Sequence, residues 1–189
     1  SKPIYQKRRE VHIRKALQAD PNNPLFKMNA ALFYHEQGDM DTSISFYKQA
    51  LAIDDRMTIP LHNLGALYTQ ENPDLAIHYY QRLYDQDPTY GDVWQRLSML
   101  YRYQGKTHQA ITIIEQRAKN FPRDKSLQQT LINLYLQTKQ YQRLADYYQT
   151  ILNRNPFQAK HRLNAAKVLV QLGQHQEAVI ILKEGLALE

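Results

Sequence analysis

Apolar and polar positions recur along the chain with a period of 33 or 34 residues. Tyr34, Tyr68, Tyr101 and Tyr135 stand 34, 33 and 34 residues apart, and Leu169 follows after another 34. A second column runs Tyr47, Tyr80, Ile114, Tyr148 and Leu182, and a third holds Pro88, Pro122 and Pro156, 34 apart. Three columns with one period mark an internal repeat. Within each period, two stretches of apolar residues at helical spacing alternate with turn signals, which predicts two amphipathic helices per unit. Gly38, Gly105 and Gly173 fall four residues after the first column, where a helix should end in a left-handed turn. The second helix should end near the proline, which cannot donate to a continuing helix. Each helix of about a dozen residues would be ~18–20 Å long. The residue missing from the second unit falls at Glu71-Asn72-Pro73-Asp74, a predicted turn, where a deletion does least harm.

The segments Leu61-x2-Leu64-Gly65-x2-Tyr68 and Trp94-x2-Leu97-Ser98-x2-Tyr101 resemble the first-helix pattern of the tetratricopeptide repeat family. Small residues Ala31, Gly65, Ser98 and Ala166 recur three before the first column, and Ala76, Ala110 and Ala178 take the matching place in the second helix. Ile132, Leu144, Arg117 and Gly185 depart from that pattern, and Asp55 stands where a proline is usual. A pentatricopeptide array has a similar period, but the Gly/Ala column and the terminal proline favour the tetratricopeptide pattern. The resemblance implies an all-α chain, a right-handed α-solenoid of helix-turn-helix repeats. The units are expected at 24–57, 58–90, 91–124, 125–158 and 159–189, after an N-terminal helix over 1–23 that reads as a partial repeat. The last stretch, 178–188, carries Val179, Ile180, Ile181, Leu182, Leu186 and Leu188. Solenoids normally cover such a face, so further repeats, a partner or a second copy is expected there.

With 43% hydrophobic and 22% charged residues, the composition is that of an ordinary folded chain. The absence of cysteine excludes disulfides, thiolate zinc sites and a cysteine nucleophile, and leaves cytoplasm and periplasm both open. No apolar run approaches the ~20 residues of a membrane span. The seven histidines form no HExxH motif and no i, i+4 pair with a supporting Glu, and no phosphate-binding glycine loop occurs. The chain therefore reads as no enzyme, with no cofactor, metal or small-molecule substrate. Charge is uneven: +4 over residues 1–23, −5 over 24–90 and +7 over 91–189. Lys7-Arg8-Arg9, Arg14-Lys15 and Arg102-Tyr103 mix cations with aromatic residues, yet most tyrosines fall in packing columns, which disfavours nucleic acid.

The resemblance places a concave groove on the first helix of each repeat. Carried onto this chain, its candidate peptide-binding residues are His62, Asn63, Arg96, Met99, Arg102, Tyr103, Asn133, Gln137, Asn164 and Lys167. Amides can pair with a peptide backbone and Arg can take a carboxylate in bidentate fashion, so a protein or peptide with acidic groups is expected, meeting Arg96 and Arg102. The family's carboxylate clamp for chaperone tails matches at two of five positions in units one to three, at none in two to four and at one in three to five, and is disfavoured. Two other roles fit the pattern: the substrate-recognition arm of a larger, transferase-type enzyme, and a scaffold that self-associates through its apolar end. Tyr101, as a column residue, is expected to be buried.

Overall fold

In the computed structural model, which describes residues 2–187, every regular element is helical. A first helix, α1 (Lys2–Ala19), precedes successive pairs: α2 (Pro24–Gln37) and α3 (Met40–Ile53), α4 (Thr58–Tyr68) and α5 (Pro73–Gln86), α6 (Val93–Tyr103) and α7 (Thr107–Asn120). Then come α8 (Lys125–Gln137) and α9 (Tyr141–Arg154), and α10 (Ala159–Gln171) and α11 (His175–Leu186). Leu188 lies outside the described residues. The chain separates into two compact units, one running to Arg117 and the other starting at Ala118. In the first, α1 packs on α2, α3 on α2 and α4, and α5 on α4 and α6. In the second, α9 packs on α8 and α10, and α11 on α10.

Short polar residues set the helix starts. Asn23 and Asn72 accept hydrogen bonds from backbone N–H groups of the first turns of α2 and α5, each followed by a proline at the first helical position. Asp39 and Asp124 do the same for α3 and α8. The stops use left-handed backbone four residues after the first column: Gly38, Gly105 and Gly173 have φ of 82°, 72° and 77°. In the fourth unit this position is Lys139, at φ 54°, where an L side chain is strained. A further column lies in the loops between pairs. Side-chain oxygens of Asp20, Asp54, Asp87 and Asn155 each accept from the backbone N–H two residues on, at 3.2, 3.1, 2.8 and 3.3 Å. These Asx-turns open the loop, at the residue just before the proline or its substitute.

Burial falls unequally on the two periodic columns. Tyr34, Tyr68 and Tyr101 are half-buried, Tyr135 is 3% exposed, and the Tyr101 hydroxyl donates to Gln81 Oε1 at 3.1 Å. Tyr47 and Tyr80 are fully buried, and Ile114 and Tyr148 are each 2% exposed. Leu182, the last member, is 39% exposed. The expectation that Tyr101 is buried holds in part: its ring packs against the core from a half-buried position, and the deepest burial in the first three repeats falls on the second column. Gly65 shows why small residues recur in the first helix. A Cβ there would come within 2.8 Å of the Tyr80 ring, so the ring lies directly on the α4 backbone.

Gly185, one of the departures, has a similar reason. A Cβ on it would collide with the side chain of Arg162, which is only 6% exposed. The Arg162 guanidinium donates to the carbonyl oxygens of Pro156 and Ile181, both at 2.8 Å, and lies 3.4 Å from a Glu184 carboxylate oxygen. A buried charge needs such partners, and here they tie the α9–α10 loop to α11.

Two substitutions test these assignments by chemical denaturation. Gly65→Ala is expected to destabilise the fold by about 1–3 kcal/mol through overpacking against Tyr80. Lys139→Gly is expected to stabilise it by ~0.5 kcal/mol, the relief of left-handed strain less the extra chain entropy of glycine. A neutral Gly65→Ala or a destabilising Lys139→Gly would contradict them.

Candidate functional site

In the first unit, α4 and α6 present six of the candidate residues, and half of these are already engaged. Asn63 Nδ2 donates to the Tyr47 hydroxyl at 2.7 Å. His62 Nε2 lies 3.3 Å from Asp92 Oδ1, and Arg96 Nε donates to Asp92 Oδ2 at 2.8 Å. The Arg96 guanidinium also sits 5.9 Å from the centre of the Tyr80 ring, whose edge faces His62. Asp92 precedes α6 but does not cap it; its carboxylate faces His62 and Arg96 instead. Burial disfavours the Asp92 charge, but the His62 hydrogen bond and the Arg96 charge outweigh it and hold the carboxyl below its ordinary range. Burial raises the Tyr80 hydroxyl, against the opposing Arg96 charge. Met99, Arg102 and Tyr103 remain exposed, Met99 to 54% and Tyr103 to 81%.

In the second unit, Asn133 and Gln137 are exposed on α8, where Gln129 Nε2 donates to Asn133 Oδ1 at 2.9 Å. Asn164 and Lys167 lie on α10. A hollow of about 370 Å³ between these helices is lined by Gln129, Ile132, Leu136, Tyr148, Lys160, His161, Asn164, Lys167 and Val168. A wider one of about 1040 Å³ shares Gln129, Ile132 and His161 with it and adds Arg123, Lys125 and Arg154. No carboxylate lines either hollow. Asn164 faces the Tyr148 hydroxyl and partly offsets the burial that raises it, at the place where Asn63 hydrogen-bonds Tyr47. Both amides stand 16 residues after their ring, the offset that also separates Arg96 from Tyr80. That offset was readable in the sequence, as was the Asx-turn column, but only polar contacts give either its meaning.

The sequence model of the tetratricopeptide repeat matches residues 26–56 and 67–134, together just over half of the chain. The chain belongs to the tetratricopeptide repeat family. Proteins of this family serve as protein-interaction scaffolds in general. No curated protein sequence matches this tetratricopeptide repeat chain. Among solved structures, it is similar to YrrB, described as a TPR protein with an unusual peptide-binding site, at 13% identity and a TM-score of 0.56 over 94% of this chain and 92% of that one. It is similar to PilF of Pseudomonas aeruginosa at 19% identity and a TM-score of 0.55, over 95% and 82%. A chain of the Naa15/Naa10 assembly bound to HypK-THB gives 19% identity and a TM-score of 0.67, over 90% of this chain but 27% of that one. At such identities the likeness is one of fold.

Among the described residues, no group of three His, Asp or Glu side chains is placed to hold a metal ion, and no helix is long and apolar enough to cross a membrane. The titratable group that stands out in the second unit is His161, half-buried with its ring centre 5.9 Å from that of Tyr148. Burial, aided by the neighbouring Lys160 charge, pushes its pKa below the ordinary imidazole value. Its neutral form is therefore favoured in the fold, while the unfolded chain takes up the proton more readily. Stability is expected to fall as pH drops from about 6.5 through the folded-state pKa and then to level off. His161→Gln should remove that component from urea midpoints measured across this range. An unchanged difference between the two proteins at every pH would sink the assignment.

Proposed function

We propose that the chain is an interaction scaffold that takes an acidic peptide segment on the basic face of its second unit. The observation that carries this reading is the pair of adjoining hollows with Arg123, Lys125, Arg154, Lys160 and Lys167 in their walls and no carboxylate among them. None of these five cations is held in an ion pair among the described residues. Leu136 and Val168 supply apolar floor, and Gln129 and Asn164 supply amides that can meet a peptide backbone. The expected contact of a carboxylate with Arg96 is less well supported, because Asp92 already occupies that guanidinium. Arg102 is exposed beside Met99 and Tyr103 on the first unit and takes no part in this face.

Random peptides displayed on phage and selected on the chain should be enriched in Asp and Glu. The affinity of the best of them should fall about tenfold or more in Lys160→Glu/Lys167→Glu, and much less in Arg96→Glu/Arg102→Glu, with both variants helical by circular dichroism. Selected peptides without acidic residues, or equal binding by the first variant, would exclude this face.

A further inference from the structure

Two surfaces left unused by that reading match each other. The outward side of α1 carries Ile4 and Val11, 59% and 46% exposed, with Lys7, Arg8 and Lys15 exposed around them. Ile4 and Val11 are seven residues apart, as are Arg8 and Lys15, so each pair lines up along the helix two turns apart. The one carboxylate of α1, Glu10, is held by Arg14, and Arg9 turns inward to Glu36. Lys7, Arg8 and Lys15 have no ion-pair partner among the described residues.

On the second unit, α9 and α11 enclose a separate hollow of about 270 Å³, whose wall includes Asp146, Glu177 and Glu184 around Ile180 and Ile181 and holds no cation. Ile180 is 56% exposed. Glu177 and Glu184 are again seven residues apart, so their spacing along the axis, ~10.5 Å, equals that of Arg8 and Lys15.

We propose that the chain associates with itself head to tail, α1 of one copy lying in the α9–α11 hollow of the next. Ile4 and Val11 then cover Ile180, while Arg8 meets Glu177 and Lys15 meets Glu184, which stays 59% exposed beside Arg162, in the manner of flanking charges on paired helices. An anionic lipid surface would account for the basic helix alone and leaves the acidic, apolar hollow without a role. A second copy accounts for both, and brings them in equal number. Because the two surfaces differ, the contact is heterologous and can repeat from copy to copy. Its small apolar area makes each contact weak and reversible.

Sedimentation velocity over a range of concentrations tests this on the full chain. The wild type should show a reversible rise in mass to at least twice the monomer, reduced at ~0.5 M salt. Arg8→Glu/Lys15→Glu and Asp146→Lys/Glu177→Lys should each weaken association about tenfold or more. The second pair spares Glu184 and its contact with Arg162, and circular dichroism should show both variants folded. Mixing the two variants restores the native contact between the hollow of the first and α1 of the second and should raise the mass above that of either variant alone. A wild type that stays monomeric throughout, association indifferent to both reversals, or a mixture that fails to pair overturns the proposal. Flotation of a monomeric wild type with phosphatidylserine vesicles would reassign α1 to a lipid surface and overturn it likewise.

Discussion

The packing of a buried second-column ring in each of three repeats is the constraint on which the rest of the fold depends. Tyr80 lies flat against the α4 backbone, which only a glycine at position 65 permits, and its far side meets Arg96 on α6. Tyr47 reaches forward from α3 to Asn63 on α4, and Tyr148 from α9 to Asn164 on α10. Each ring thus belongs to one pair of helices and touches the first helix of the next. A buried hydroxyl demands a partner. Asn63, 16 positions after Tyr47, hydrogen-bonds its hydroxyl, whereas Arg96, 16 after Tyr80, meets the ring and leaves that hydroxyl without a hydrogen-bond partner among the described residues. In the third repeat the column residue is Ile114, which makes no such demand. The residue 16 on is Thr130, whose hydroxyl turns back to the Ser126 carbonyl at 2.8 Å.

The period, the two helices per unit and the family were legible because they depend on residue class at fixed spacing. The left-handed helix stops were legible at Gly38, Gly105 and Gly173, where glycine is the signal, but not at Lys139, which adopts the same backbone without the residue that advertises it. The depth of Tyr101 was misjudged because membership of a column says that a position is structural, not how deep it lies. Gly185 looked like a defect until Arg162 was seen to occupy the space that a Cβ would take. That pair is a compensation between distant positions, and no local rule in a single sequence exposes it.

The charge pattern along the sequence acquires its meaning only when each charge is traced to its use. The acidic middle of the chain spends its carboxylates at home. Asp39 caps α3, Asp54 and Asp87 hold Asx-turns, Asp92 holds His62 and Arg96, and Glu36 holds Arg9. In the second unit Asp124 caps α8 and Glu184 faces Arg162, while the cations around the α8–α10 hollows have no such employment. Uncommitted charge of one sign in a concave site attracts the opposite charge from solution. Net charge by segment overstated, for the first unit, what is free to act.

The same distinction separates the candidate groove residues by position. A side chain 16 residues after a buried ring serves that ring, and Asn63, Arg96 and Asn164 are held accordingly. One helical turn further along the same face stand Met99, Asn133 and Lys167, all exposed. The first set is polar at each place because each meets an aromatic ring from the preceding helix. The second set differs in size, polarity and charge from repeat to repeat, since no neighbour within the fold dictates it. A face that must discriminate between guests needs such variety, whereas residues that hold the array together are fixed in chemistry by what they hold. Substitution at the outer positions therefore leaves the packing untouched, whereas any change at the inner ones also perturbs the ring beneath.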